Sequence, residues 1–143
     1  MDVRTLARPR PPVGAPPAGH LLGRWIVGAF YLVMGGVHLG VVSADASTYR
    51  HFADEGLFAF VREGWLTIVM AHPTVWGLLL MAGEITLGAL LLAGPRTARF
   101  GWVGVIAFHV LLLPFGFWLW AYAVPALAVL VWLASRDLGR SRR

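Results

Sequence analysis

Four long apolar stretches, separated by polar residues or by glycine and proline, dominate the hydrophobic pattern of the chain. They predict membrane-spanning helices at about residues 21–42, 73–93, 98–115 and 117–134. Each stretch has about 18–22 residues, and at about 1.5 Å per residue this matches a hydrocarbon core about 30 Å thick. The last apolar run is too long for one span, and Pro114 and Gly116 predict the tight turn that divides it.

The connection between the first two spans, residues 44–72, carries a different pattern. Apolar side chains recur there at spacings of three and four, at Tyr49, Phe52, Ala53, Leu57, Phe60 and Val61. This spacing predicts an amphipathic helix on the outer membrane surface, which Gly56 is placed to divide into two pieces. The predicted fold is therefore all-α: a polytopic membrane protein with a four-transmembrane-helix bundle and an amphipathic outer-face helix between spans one and two.

Both ends of the chain differ from this apolar middle. Residues 1–20 contain five prolines and three arginines, a composition that predicts a disordered arm. Residues 136–143 predict a basic tail, which leaves residues 21–135 as the transmembrane domain. The first apolar run is too long for a signal peptide and no small-residue cleavage site closes it, so the arm is expected to stay attached.

The composition agrees with a lipid environment. The chain is 58% hydrophobic and 13% charged, with a mean hydropathy of +0.70, whereas soluble domains are about 45–50% apolar and about 25% charged. The net charge of +5 comes from arginines beside the spans, which indicates topology rather than nucleic-acid binding. No cysteine is present, which excludes disulfides, thiol catalysis and cysteine-ligated metal sites.

Charge also predicts an orientation. The arm, the connection between spans two and three and the tail are rich in arginine, whereas residues 44–72 hold four carboxylates against two arginines. Because positive residues favour the cytoplasmic side of short loops, both termini are predicted to be cytoplasmic.

Three ionisable side chains fall within the predicted spans: His38, Glu84 and His109. Such groups are costly in lipid and normally face the bundle interior or a water-filled cavity. Counted along the helices, they lie in the middle and outer half of the bundle, so a pocket that opens outward is predicted. All three are candidate catalytic residues. His38 and His109 are candidate cofactor-binding residues, together with Tyr31, which lies on the same helix face as His38. The fourth span has no ionisable group except Tyr122 near its outer end, so this span is expected to be structural.

Glu84 determines which chemistry is feasible. An ionised, unpaired carboxylate near the midplane would be prohibitively costly, so Glu84 is expected to be protonated or paired with His38 or His109. This leaves four interpretations: a contact that only fixes helix packing, proton exchange coupled to a quinone, haem b ligation by His38 and His109, and a metal held by all three. No short-range ligand motif is present, and no metal site is predicted.

Three segments carry a family resemblance. The first segment runs from Gly28-Ala29-Phe30 to Gly35-Gly36-Val37-His38. The second is Gly83-Glu84-Ile85-Thr86-Leu87-Gly88, and the third is Gly94-Pro95-Arg96-Thr97-Ala98-Arg99. With them the chain resembles, over about residues 22–135, the DoxX-like family of four-helix bacterial membrane proteins, whose acidic residue in the second span corresponds to Glu84. The resemblance implies the bacterial plasma (inner) membrane and a redox association, with quinone and a partner subunit as in the membrane subunit of a thiosulfate:quinone oxidoreductase.

The functional hypothesis is a small, redox-associated membrane protein that handles quinone or protons at the intramembrane polar pocket, together with a membrane or outer-face protein partner. It would then act as a membrane subunit of an oxidoreductase. Two alternatives remain at this point: a non-catalytic scaffold or accessory subunit of a membrane complex, and a small b-type cytochrome with His38 and His109 as haem ligands.

Overall fold

The computed structural model describes residues 19–140, with the side chains of residues 21–139. Within this range the chain is helical, without β-strands, and the helices are α1 (Gly19–Asp45), α2 (His51–Asp54), α3 (Ala59–Gly64), α4 (Pro73–Ala93), α5 (Pro95–Leu112) and α6 (Phe117–Arg140). Four of them, α1, α4, α5 and α6, are long and apolar enough to cross a membrane. This confirms the four predicted spans and is the pattern of a multi-pass membrane protein. The predicted arm and the last three residues of the tail lie outside the described residues, apart from the first turn of α1.

Glycine and proline set the ends of three of these helices. Pro73 and Pro95 occupy the first turns of α4 and α5, where a missing N–H costs no hydrogen bond. Gly94 alone joins the two helices and has a φ of 151°, a conformation that side chains strongly disfavour. Because this turn is so short, α5 begins three residues before the predicted start of the third span. Gly116, with a φ of 113°, follows a short 3₁₀ turn and leads into α6.

The helix α6 continues beyond the fourth predicted span to Arg140 and takes in part of the predicted basic tail. The indole N–H of Trp102 on α5 donates a hydrogen bond of 2.9 Å to the Asp137 carboxylate. Asp137 is only 6% exposed, so this contact holds the last turns of α6 against α5. The sequence pattern alone could not show this contact, because Asp137 lies in the segment predicted to be a basic tail.

The connection between α1 and α4, here called the connector (residues 46–72), is a series of short turns. A 3₁₀ turn (Ala46–Arg50) precedes α2, and a π-type turn (Trp65–Val69) follows α3. The predicted amphipathic helix is not confirmed: Tyr49 and Ala53 are buried, but Phe60, on the same predicted apolar face, is 72% exposed. The chain breaks between α2 and α3, around Gly56.

One hydrogen bond joins two parts of the connector, and another joins the connector to the bundle. The indole N–H of Trp65 donates to the carbonyl oxygen of Tyr49 at 2.7 Å, and the backbone N–H of Leu57 donates to the carbonyl oxygen of Pro114 at 2.9 Å. The Trp65 ring also packs edge-on against Phe115, with ring centroids 4.9 Å apart. The connector therefore covers one end of the bundle and holds Tyr49 beside α1.

Close approach of α1 and α4 depends on glycine. A Cβ built on Gly88 would lie 2.7 Å from the carbonyl oxygen of Gly28, and one on Gly35 would lie 2.7 Å from the Ile85 side chain. Small residues at such positions let two membrane helices pack backbone to backbone. This packing sets the distance between α1 and α4, the two helices that carry His38 and Glu84.

Replacing Gly88 with alanine is expected to destabilise the bundle. The atom in the way belongs to the backbone and cannot rotate aside, so α1 and α4 must separate, at a cost of about 1–3 kcal/mol. The matched control is Gly83→Ala on the same helix, where an added Cβ meets nothing within 4 Å. Thermal unfolding in detergent should give a lower Tm for Gly88→Ala alone; equal Tm values would contradict this account of the packing.

Candidate functional site

The structure divides the candidate residues between two polar clusters. The first, here called the connector cluster, lies next to the connector and consists of Tyr49, His38 and Glu84. The second, here called the groove cluster, lies between α1, α5 and α6 and consists of Tyr31, His109 and Tyr122. The two predicted histidines are thus in different clusters, and Glu84 pairs with His38.

In the connector cluster, His38 lies between a phenol and a carboxylate. The hydroxyl oxygen of Tyr49 is 2.7 Å from Nδ1 of His38, and the two rings stack with centroids 5.7 Å apart. On the other side, Nε2 of His38 is 3.6 Å from Oε2 of Glu84. This distance is too long for a hydrogen bond, so the His38–Glu84 contact is electrostatic.

Glu84 is a buried carboxyl group with an unsatisfied oxygen. Its exposed fraction is 3%, and Oε2 has no hydrogen-bond partner. Buried polar atoms in proteins are nearly always hydrogen-bonded because an unpaired one costs free energy. The helix packing therefore holds Glu84 in a costly position, which is the usual mark of a functional rather than a stabilising group.

Room for Tyr49 beside this pair comes from a glycine on α4. A Cβ on Gly77 would lie 2.7 Å from a ring carbon of Tyr49 and 2.4 Å from a methyl carbon of Val42. Because Gly77 has no side chain, the phenol of Tyr49 fits between α1 and α4 and reaches the imidazole of His38. Tyr49 itself is only 3% exposed.

In the groove cluster, His109 has protein partners at both ring nitrogens. Its Nδ1 is 2.9 Å from the carbonyl oxygen of Val105 and 3.1 Å from the hydroxyl oxygen of Tyr31. Its Nε2 is 3.0 Å from the hydroxyl oxygen of Tyr122. His109 and Tyr31 are each only 2% exposed, so this cluster is fixed within the bundle.

The contact with the Val105 carbonyl shows which ring nitrogen of His109 carries the proton in the neutral form. A carbonyl oxygen can only accept a hydrogen bond, so Nδ1 of His109 carries the proton and donates it. In the neutral ring, Nε2 then has a free lone pair, and the hydroxyl of Tyr122 donates to it. His109 is therefore placed to accept a proton through Tyr122 and to become an imidazolium.

A groove of about 440 Å³ between α1 and α6 leads to this cluster. Its walls are apolar and come from both helices, with Ile26, Val27, Phe30, Pro125, Ala126 and Val129 among them. His109, Tyr31 and Tyr122 form its polar part. Ile26 and Val129 are 59% and 54% exposed, so the groove opens on the surface of the bundle that would face lipid.

The two clusters interact electrostatically. The Glu84 carboxyl group acts on the phenols of Tyr31 and Tyr122 in the groove cluster as well as on Tyr49 in its own cluster. Tyr31 also contacts His109 directly.

The geometry bears on the metal and haem interpretations. No three histidine, cysteine, aspartate or glutamate side chains come together as a metal site in the part of the chain that the structure describes. The ring nitrogens of His109 and Nδ1 of His38 make hydrogen-bond contacts with protein atoms, and Nε2 of His38 faces Glu84. Haem ligation by these two histidines would break contacts in both clusters, so the donor set fits hydrogen bonding to a ligand better than it fits haem.

Sequence reasoning did not find Tyr49 and expected Tyr122 to be structural. The available signal was the scarcity of tyrosine: the chain has three, and all three contact a candidate histidine. Tyr122 lies thirteen residues from His109 and on a different helix, so its contact depends on the turn at Gly116. Comparisons with protein-family models, with curated proteins and with solved structures gave no match to this chain.

Proposed function

We propose that this protein is a small, DoxX-like, redox-associated membrane protein that binds a quinone in the groove between α1 and α6 and exchanges protons with it. The observation that carries the proposal is the groove cluster: an imidazole with an accepting Nε2, set behind a phenol, in an apolar groove. A quinone is an apolar ring with two hydrogen-bonding oxygens that dissolves in the bilayer. Apolar pockets with a few convergent polar groups are the usual binding sites for such molecules.

Tyr122 is the group that would contact the quinone oxygen. It lines the groove and is 45% exposed, whereas His109 behind it is buried. A quinol hydroxyl would donate its hydrogen bond to the Tyr122 oxygen, and the Tyr122 hydroxyl already donates to Nε2 of His109. A quinone oxygen can only accept, so with a quinone bound the chain runs the other way: the His109 imidazolium donates from Nε2 to the Tyr122 oxygen, and the Tyr122 hydroxyl donates to the quinone. Binding of either form therefore completes a chain of two hydrogen bonds between ligand and imidazole.

The proposed reaction balances with a redox partner. Oxidation of the quinol to the quinone releases two electrons and two protons, and the electrons pass to a haem, flavin or iron–sulfur group of the partner protein. One proton passes to the Tyr122 oxygen as the Tyr122 proton moves to Nε2 of His109, and the Val105 carbonyl stabilises the resulting imidazolium at Nδ1. The other proton goes with the electrons to the partner protein.

The proposal includes a location. The arginine-rich connections favour the bacterial plasma membrane with both termini cytoplasmic, because positive residues remain on that side. Four crossings support this arrangement, since an even number of spans brings both ends of the chain to one side. The connector would then face outward, where a partner protein can reach it.

Replacing Tyr122 with phenylalanine tests the proposed contact. The variant keeps the ring but removes the hydroxyl, so the quinone loses one hydrogen bond worth about 1 kcal/mol, and its Kd should rise about fivefold. The measurement is equilibrium binding of ubiquinone-2 to the protein in lipid nanodiscs, corrected with empty nanodiscs.

The matched control is Thr86→Val, which removes a hydroxyl from the exposed face of α4, where it bonds only to its own helix at Ala82. This variant is expected to bind ubiquinone-2 with the Kd of the wild type. Failure of the wild type to bind above the empty nanodiscs, or equal Kd values for Tyr122→Phe and Thr86→Val, would refute the proposed site.

A further inference from the structure

We infer that the connector cluster is a proton path between the buried Glu84 carboxyl group and the membrane face that carries the connector. The inference goes beyond the proposed function and does not depend on it. It assigns roles to Glu84, His38 and Tyr49 that quinone binding itself does not need.

The outer part of the path is a direct contact. Tyr49 lies in the 3₁₀ turn that follows α1, and its hydroxyl is 2.7 Å from Nδ1 of His38. Gly77 leaves the space in which this phenol fits, and the Trp65 indole holds the Tyr49 backbone in place. A phenol and an imidazole at hydrogen-bonding distance can exchange a proton without moving their backbones.

The inner part contains the unsatisfied carboxylate oxygen. Oε2 of Glu84 faces Nε2 of His38 across 3.6 Å and has no hydrogen bond. A group that only fixed helix packing would be expected to close this gap and satisfy the buried oxygen. A group that alternates between proton partners must be able to release each one, which the open geometry permits.

Geometry sets the direction of the path from Glu84. The titratable groups that interact electrostatically with Glu84 are His38 and Tyr31 from α1, Tyr122 from α6 and Tyr49 from the connector. Of these, His38 lies at ion-pair distance from Glu84, and Tyr49 lies at hydrogen-bonding distance from His38. The path therefore runs from Glu84 through His38 to Tyr49.

Each step moves one proton and no electron. The neutral acid form of Glu84 gives its proton to Nε2 of His38 and becomes a carboxylate. The Nδ1 proton of His38 passes to the Tyr49 oxygen as the Tyr49 hydroxyl proton leaves toward the connector. One proton leaves Glu84, and one leaves the cluster on the connector side.

The experiment follows the protonation of Glu84 by infrared spectroscopy after a pH jump in the purified full-length protein. The Glu84 bands are those that are absent from Glu84→Gln. In Tyr49→Phe, which keeps the ring stacked on His38, their rate of change is expected to fall roughly 100-fold, the lower end of what a positioned proton-transfer group contributes. His38→Gln, whose amide hydrogen-bonds but does not titrate, is expected to show the same loss.

Ubiquinone-2 binding to the same samples separates the two proposals. Tyr49→Phe and His38→Gln should keep the wild-type Kd while the protonation rate falls, whereas Tyr122→Phe should raise the Kd. Unchanged rates in both connector variants would overturn the proton path and leave the quinone site standing. The path is also overturned if the Glu84 bands do not respond to pH. Absence of quinone binding with slowed protonation would refute the quinone site instead.

Discussion

Replacing His109 with phenylalanine is expected to weaken quinone binding strongly and to destabilise the bundle. The imidazole accepts from the Tyr122 hydroxyl and donates to the Val105 carbonyl, so the substitution leaves one polar group in the groove and one next to it without this partner. Each unsatisfied group costs about 1–3 kcal/mol. The Kd for ubiquinone-2 should therefore rise about 100-fold, which corresponds to about 3 kcal/mol.

Two further variants make this prediction specific. His109→Gln retains an amide that donates and accepts, so binding should recover in part while proton transfer through residue 109 should not. His51→Phe removes a histidine whose side chain is 84% exposed and should leave the Kd unchanged. If His109→Phe binds ubiquinone-2 as the wild type does, the groove cluster has no part in ligand binding.

Replacing Glu84 with leucine is expected to eliminate the pH-dependent infrared bands without lowering stability. Glu84 is buried, its Oε2 has no hydrogen bond, and its nearest ionic partner is 3.6 Å away. A buried polar atom without a hydrogen bond costs about 1–3 kcal/mol. The substitution removes this cost, and His38 keeps its contact with the Tyr49 hydroxyl. The Tm should therefore stay the same or rise.

This variant separates a chemical role of Glu84 from a packing role. If the glutamate only fixed the helices, Glu84→Leu would lower the Tm, and any loss of function would follow the amount of folded protein. Glu63→Leu is the matched control, since Glu63 is exposed on α3 and its loss should change stability by no more than about 0.5 kcal/mol. A large drop in Tm for Glu84→Leu alone would favour the packing role.

The number of spans was predictable because each depends on composition over about twenty residues and on local breaks. Proline and glycine mark the turns at Gly94 and Gly116, which need φ values that other residues disfavour. The connector was harder to predict. Its apolar spacing is helical, but its conformation follows from contacts with the bundle end, such as Trp65 with Tyr49, which lie far apart in sequence.

The ionisable residues of the candidate site could be named from the sequence, but Tyr49, the role of Tyr122 and the arrangement of the site could not. The cost of an ionisable group in lipid singles out His38, Glu84 and His109 from the sequence alone. Which histidine faces Glu84 depends on how far α1 rotates against α4, and that is set by glycine contacts such as Gly28 with Gly88. The groove lies between α1 and α6, two helices far apart in the sequence, so no local signal could predict it.

The most direct test of the central claim, a quinone site between α1 and α6, is photolabelling in lipid nanodiscs with an azido-ubiquinone, followed by mass spectrometry of the labelled peptides. The account predicts label on the groove walls, at residues such as Phe30 and Ala126, that excess ubiquinone-2 displaces and that His109→Phe greatly reduces. Label spread evenly over the lipid-facing surfaces of the four spanning helices, or label that ubiquinone-2 does not displace, would contradict it.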